Sequence, residues 1–193
     1  MESNRQKKKK ESNFVVQGSI LAVASIVVRI IGIAYRIPMI NIIGDEGMGY
    51  YGTAFNVYNI ALLLSSYSLP LAISKLIAAR RVHGKNQDVQ RVFKAGLLFG
   101  LVAGGLMTTI LLFGADWITV HIFNSPNSAL PLKVMAPTIL VFSIMGVVRG
   151  YFQGLGNMVP TSISQVIEQV VNAIISVAAS FAFMHWFANR ETP

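Results

Sequence analysis

Two arginines, Arg29 and Arg36, stand inside an apolar run that extends from Phe14 to Ile43. A charge near the middle of a bilayer costs from about 2.5 to more than 10 kcal/mol unless it faces protein or water. Guanidinium carries permanent charge and a planar fork that matches phosphate oxygens. Helical spacing places Ser25, Arg29, Gly32 and Arg36 on one face. The chemistry on offer is recognition of an anion within a membrane, beside a glycine that leaves room.

A second polar stripe occurs late in the chain. Gln165, Glu168, Gln169, Asn172 and Ser176 fall on one side of a helix, while Val166, Ile167, Val170, Val171, Ile174 and Ile175 form an apolar side that suits lipid or core. Glu168 lies roughly 12 Å along that helix from Pro160, a depth inside the hydrocarbon. Two roles are open to it. As a structural acid it pairs with an arginine of the first helix and fixes the bundle. As a cavity-lining acid it binds substrate or a coupling ion and changes protonation as the cavity opens and closes. The two are compatible if the pair is made in one state and broken in another. Asn56 and Asn59 form a smaller polar pair, with Gly52 and Ser66 near the same face. They suit interhelical hydrogen bonds, worth about 0.6 kcal/mol each on average, or cavity lining.

Composition sets the class of protein that must position these groups. Of 193 residues, 53% are hydrophobic and 12% charged, half the charge of an ordinary soluble domain. The net charge of +8 is concentrated at the start, in Arg5 and Lys7 to Lys10, and again between Arg80 and Lys94. That distribution fits anionic lipid at a membrane surface and argues against nucleic acid. Cysteine is absent, which excludes disulfides, thiolate metal sites and cysteine nucleophiles. His83, His121 and His185 are scattered, so no acid–base or metal constellation for an enzyme is visible.

The expected architecture is an all-α, polytopic membrane bundle of five helices, at about 14–40, 50–79, 92–113, 131–152 and 160–187. Residues 1–13 form a basic cytoplasmic tail, 14–188 the bundle and 189–193 an extracytoplasmic end. Pro38 is expected to bend or end the first helix, and Gly44, Asp45, Glu46, Gly47 and Gly49 to form a turn. Pro70 should interrupt the second helix and Pro137 kink the fourth. The basic segment 80–94 lies in the cytoplasm by the positive-inside rule, which agrees with two crossings from a cytoplasmic N-terminus. Tyr50, Tyr51, Trp117 and Trp186 suit the membrane interfaces. Gly96, Gly100 and Gly104 make a small-residue face for close helix packing. Ser162 and Gln165 have capping-box spacing, just after Pro160.

Two stretches carry a family resemblance. Arg29-Ile-Ile-Gly-Ile-Ala-Tyr-Arg36-Ile-Pro38, followed by Gly44-Asp-Glu-Gly-Met-Gly-Tyr-Tyr-Gly52, resembles the opening of bacterial lipid-linked polysaccharide flippases. So does Arg149-Gly-Tyr-Phe-Gln-Gly-Leu-Gly-Asn-Met-Val-Pro-Thr-Ser-Ile-Ser-Gln165 with Ile167-Glu-Gln169. The branch is that of the stage V sporulation protein B-like and lipid II flippases, within the multidrug/oligosaccharidyl-lipid/polysaccharide exporter superfamily. The resemblance implies a MATE-like fold of two helical lobes around a central cavity. This chain would supply most of the first lobe and leave a second lobe to the same gene or a partner chain. It also implies that cavity-facing arginines of helix one act on the substrate; Arg29 and Arg36 are the matching positions. The spacing to Arg36 is one residue longer than in the family, and Tyr51 stands near the family's aspartate.

The function expected on these grounds is transport, not catalysis. A flippase would move an anionic lipid-linked oligosaccharide or peptidoglycan precursor across the bacterial cytoplasmic membrane by alternating access. Arg29, Arg36, Asn56, Asn59, Gln165, Glu168, Gln169 and Asn172 are the candidate substrate-binding residues. The partners are the bilayer and a polyprenyl-(pyro)phosphate-linked glycan. No cofactor is expected, an ion gradient or the membrane potential serving as the drive. The alternatives are a multidrug or small-cation exporter of the same superfamily, which two facing arginines oppose, and a non-transporting fragment.

Overall fold

The computed structural model describes residues 2–82 and 86–188, with side chains over 15–82, 87–178 and at Phe181. His83, Lys85 and the end at 189–193 lie outside the described residues, as do the side chains of the basic tail, His185 and Trp186. Among the described residues every regular element is helical: α1 Glu2–Leu62, a π-helical turn Leu63–Tyr67, α2 Leu69–Val82, α3 Asn86–His121, a 3-10 turn Pro126–Ser128, α4 Ala129–Gly154 and α5 Val159–Ala188.

The turn expected around 41–49 contracts to one residue. Helix α1 continues through Pro38 and breaks at Gly44, whose φ of 76° and ψ of 172° belong to glycine almost alone. Glycine-rich composition permits a turn without requiring one, and membrane-length apolar stretches favour unbroken hydrogen bonding. Pro70 likewise does not interrupt the helix at its own position. It sits in the first turn of α2, where a missing N–H costs little, and the irregular backbone lies just before it in the π-helical turn. Pro137 lies within a continuous α4. The basic segment 80–94 is largely helical too, with Arg80 and Arg81 ending α2 and Asp88 opening α3. Asp88 lies 3.9 Å from Arg80 and 3.5 Å from Arg91.

Three described stretches, Val15–Val82, Gln87–His121 and Pro126–Gly154, are long and apolar enough to cross a membrane. That measure does not reproduce five crossings. The α1–α2 stretch counts as one because only Gly44 and the π-helical turn mark its bends.

The chain forms two compact units, Met1–Glu46 with Gly156–Pro193, and Gly47–Leu155. In the second unit one core joins Ala54, Tyr58 and Leu62 of α1 to Leu111 and Ala115 of α3 and Leu132 and Ile139 of α4. Another joins Leu69, Ile73 and Ile77 of α2 to Val89 of α3 and Val147 of α4. The late half of α3 thus meets the early half of α4, and the reverse, so the two run antiparallel. Gly96, Gly100 and Gly104 are their contact face: added Cβ atoms would meet Val147 at 3.1 Å, the Ser143 carbonyl at 3.2 Å and Ser143 Oγ at 2.6 Å. Arg81 Nη1 donates to the Leu155 carbonyl and caps the end of α4.

Candidate functional site

The candidate site is built in the first unit, where α1 between Gln17 and Tyr35 lies beside α5. Gln17 Oε1 accepts a hydrogen bond from Met158 N at 2.8 Å. Further along, Gly32 meets Gln169, and Asn172 Nδ2 donates to Tyr35 Oη at 3.4 Å. The contacts climb both helices together, so the two run parallel. A methyl group on Gly32 would sit 3.2 Å from Gln169 Nε2, so it is the absence of a side chain that lets the amide approach α1.

Arg29 and Arg36 flank Gly32 on this face, separated by about 10 Å along the axis. Both are exposed. The ion pairs found among the described residues are Arg80–Asp88, Arg91–Asp88 and Lys133–Asp116. Ser25 shares the face but contributes little, because its hydroxyl donates to the Leu21 carbonyl at 2.8 Å.

On α5 the expected stripe is present. Gln165, Glu168 and Gln169 are half-buried, and Asn172 Oδ1 accepts from Ser176 Oγ at 3.3 Å. The capping box is not formed. Helix α5 starts at Val159, which places Ser162 inside the first turn. The free N–H groups at the start are taken instead: Asn157 Oδ1 accepts from Val159 N at 3.1 Å, and Gln17 takes Met158 N. Ser162 Oγ and Gln165 Oε1 are consequently left without partners, as is Thr161 Oγ1. Thr161 is 1% exposed and Ser162 4%.

Asn56 and Asn59 belong to the second unit, exposed and half-buried respectively. Interhelical hydrogen bonding there falls to other residues. Tyr58 Oη and Thr138 Oγ1 are 2.7 Å apart, Ser66 Oγ and Ser143 Oγ 2.6 Å, and Thr108 Oγ1 donates to the Ala136 carbonyl at 3.1 Å. Sequence reasoning missed Gln17 and Tyr35 in the first unit. Tyr35 had a signal, since it stands three residues after Gly32 and so on the same face.

The first unit therefore offers two exposed guanidinium groups beside a ladder of amides. This is a donor-rich surface on helices of apolar composition, suited to holding an anion. The family model described as polysaccharide biosynthesis protein matches residues 15–188. Stage V sporulation protein B of Bacillus subtilis is 33% identical over 165 residues, which cover 86% of this chain and 32% of that protein. Lipid II flippase MurJ of the same organism is 29% identical over 176 residues, 87% of this chain and 32% of the relative. The uncharacterized membrane protein YabM is 31% identical over 170 residues, 88% and 31% respectively. The chain thus spans about a third of the length of the curated relatives it matches. No solved structure matches it. Membrane-length apolar helices and bacterial relatives of this kind make it a multi-pass bacterial membrane protein. With the match extending over almost all of its helical length, the chain belongs to the polysaccharide biosynthesis protein family.

Proposed function

We propose that this chain forms most of the first lobe of a flippase that moves an anionic lipid-linked oligosaccharide or peptidoglycan precursor across the cytoplasmic membrane. The observation that carries the reading is the face of Arg29, Gly32 and Arg36 lying along the amide stripe of α5. A phosphate or pyrophosphate headgroup must traverse a region where an unpaired anion is very costly. Arg29 and Arg36 would replace its hydration with forked, charged donors. Gln165, Gln169 and Asn172 would hold the polar glycan or phosphate edges, while Glu168 would bind substrate or a coupling ion. The lipid tail would stay in the bilayer. A relative named Lipid II flippase MurJ supports this substrate class. A cytoplasmic N-terminus, a second lobe from the same gene or a partner, and alternating access driven by an ion gradient or the membrane potential complete the proposal.

The test is complementation in cells depleted of their lipid II flippase by a full-length flippase that carries this chain as its first lobe. Growth should be restored by the unaltered protein and lost with Arg29→Ala at equal expression. Arg36→Lys, which keeps the charge but removes the fork, should give partial growth. Normal growth of Arg29→Ala at normal expression would overturn the assignment.

A further inference from the structure

Among the described residues, the buried side-chain oxygens without a hydrogen-bond partner all fall in one short stretch of α5: Thr161 Oγ1, Ser162 Oγ and Gln165 Oε1. An unpaired buried oxygen is costly, and folded chains nearly always satisfy it. The chain itself seals Thr161 and Ser162, so their partners are to be sought among its own groups. The spacing of Ser162 and Gln165 supplies a pair of them. In a capping box the serine hydroxyl accepts from Gln165 N and the Gln165 amide oxygen accepts from Ser162 N. That exchange requires Ser162 to stand just before the helix. In the structure it lies inside the first turn, because α5 starts at Val159 and Ser162 N donates to the Met158 carbonyl at 3.0 Å. The earlier start has caps of its own, Asn157 Oδ1 on Val159 N and Gln17 Oε1 on Met158 N. The second of these caps comes from α1.

We infer that α5 is built with two alternative starts and that α1 selects between them. One start is at Val159, held by Asn157 and by Gln17 of α1. The other lies about one turn later, with Ser162 and Gln165 closing a capping box. Unwinding Val159 to Thr161 turns two unpaired oxygens, Ser162 Oγ and Gln165 Oε1, into a reciprocal pair, and it frees the Thr161 hydroxyl from its sealed position. Pro160 suits both states, since a first helical turn tolerates its missing N–H and a loop its fixed φ. The Gln17 bond exists only while α1 lies against α5. Separation of the two helices removes that cap, a change of about fivefold in population for one cap. Two arrangements of similar cost, biased by a single contact, make a switch. The two starts stand on hydrogen bonding alone. Their use, as a latch that registers α1 moving off the amide stripe, rests on the proposed function.

The test is hydrogen–deuterium exchange of the 193-residue chain in lipid nanodiscs, read by NMR at the amides of residues 158–164. Gln17→Leu should speed exchange there about fivefold, the weight of the lost cap, and leave the rest of α5 unchanged. Ser162→Ala removes a hydroxyl that has no partner in the first start, so it should slow exchange by disabling the second. Gln165→Leu should do the same. The double variant should be no slower than either single one, because both break the same box. With Ser162→Ala already present, Gln17→Leu should speed exchange much less. Additive slowing by Ser162→Ala and Gln165→Leu would overturn the inference, as would a Gln17→Leu effect undiminished by Ser162→Ala, since a helix end that merely frays behaves in those ways. Growth of cells carrying Arg29→Ala bears on the substrate alone, so the flippase reading and the two starts fail separately.

Discussion

Gly47–Leu155 and the unit of Met1–Glu46 with Gly156–Pro193 are both made of apolar helices, yet they treat their polar atoms in opposite ways. In the former, the buried hydroxyls are all satisfied. Ser65 donates to the Ala61 carbonyl, Ser66 pairs with Ser143, Thr108 with the Ala136 carbonyl, Thr119 with the Ala115 carbonyl and Ser128 with Ser125. In the latter, the buried hydroxyls of Thr161 and Ser162 have no partner. Apolar burial divides the same way: among the described residues only Ala24 and Met39 are buried hydrophobics in that unit. Satisfied polar groups and backbone-close packing produce rigidity. Unsatisfied groups leave free energy available for a change of partners. On the proposed function, scaffold falls to one region and binding to the other.

The largest effect should come from Gly150→Ala in the scaffold. Its new Cβ would lie 2.8 Å from the Pro70 carbonyl oxygen, 2.9 Å from Ile73 Cβ and 3.0 Å from Pro70 Cα. Backbone cannot rotate away, so α4 and α2 must separate, at a cost of about 3 kcal/mol, the upper end for overpacking. Thermal unfolding in detergent should show a clear drop. An unchanged midpoint would mean that the α2–α4 contact yields more readily than its geometry indicates. Gly44→Ala comes next and acts differently. Nothing lies within 4 Å of its added Cβ, but φ is +76°, so the whole cost is backbone strain of about 1–3 kcal/mol. The same melt should register it, and hydrogen exchange should place the loss around the break in α1.

These particulars show what could be read from the chain alone. The arginine face, the α5 stripe and the Gly96–Gly100–Gly104 face were legible because helical periodicity converts spacing directly into a side of a cylinder. Tyr35 was legible by the same rule. The single break at Gly44 was not, since five neighbouring turn-forming residues permit a loop and tertiary context decides whether one is made. The capping box failed for a related reason. Ser162 and Gln165 have the spacing, but the N–H groups they would serve are already taken by Asn157 and by Gln17, far away in sequence. Burial of Thr161 and Ser162 likewise depends on the surrounding fold and leaves no trace in local pattern.

A smaller effect is expected at the hydroxyl pair. Ser66 and Ser143 lie 2.6 Å apart, and Ser143 Oγ also donates to the Ile139 carbonyl at 2.9 Å. Ser66→Ala should cost about 1 kcal/mol, the usual net worth of one such bond. A double-mutant cycle with Ser143→Ala should return a coupling near 0.6 kcal/mol, the average for hydrogen bonds between membrane helices. Zero coupling would place the stabilisation in the local bonds of each serine and weaken the picture of a scaffold locked through its hydroxyls.

The smallest stability change, and the one that tests the contrast most directly, is Gly32→Ala. It is the same substitution as Gly150→Ala, made in the binding region. Here the added methyl meets only Gln169 Nε2, at 3.2 Å, and that atom is the far end of a flexible side chain. The amide can swing aside, while alanine gains up to about 1 kcal/mol of helix propensity over glycine. The melting midpoint should therefore hold or rise slightly, opposite in sign to Gly150→Ala. Complementation should still suffer, because Gln169 is pushed off the arginine face. A destabilisation as large as that of Gly150→Ala would show that α1 and α5 are packed as tightly as α2 and α4. The first unit would then be a second scaffold, and the division of labour between the two regions would fail.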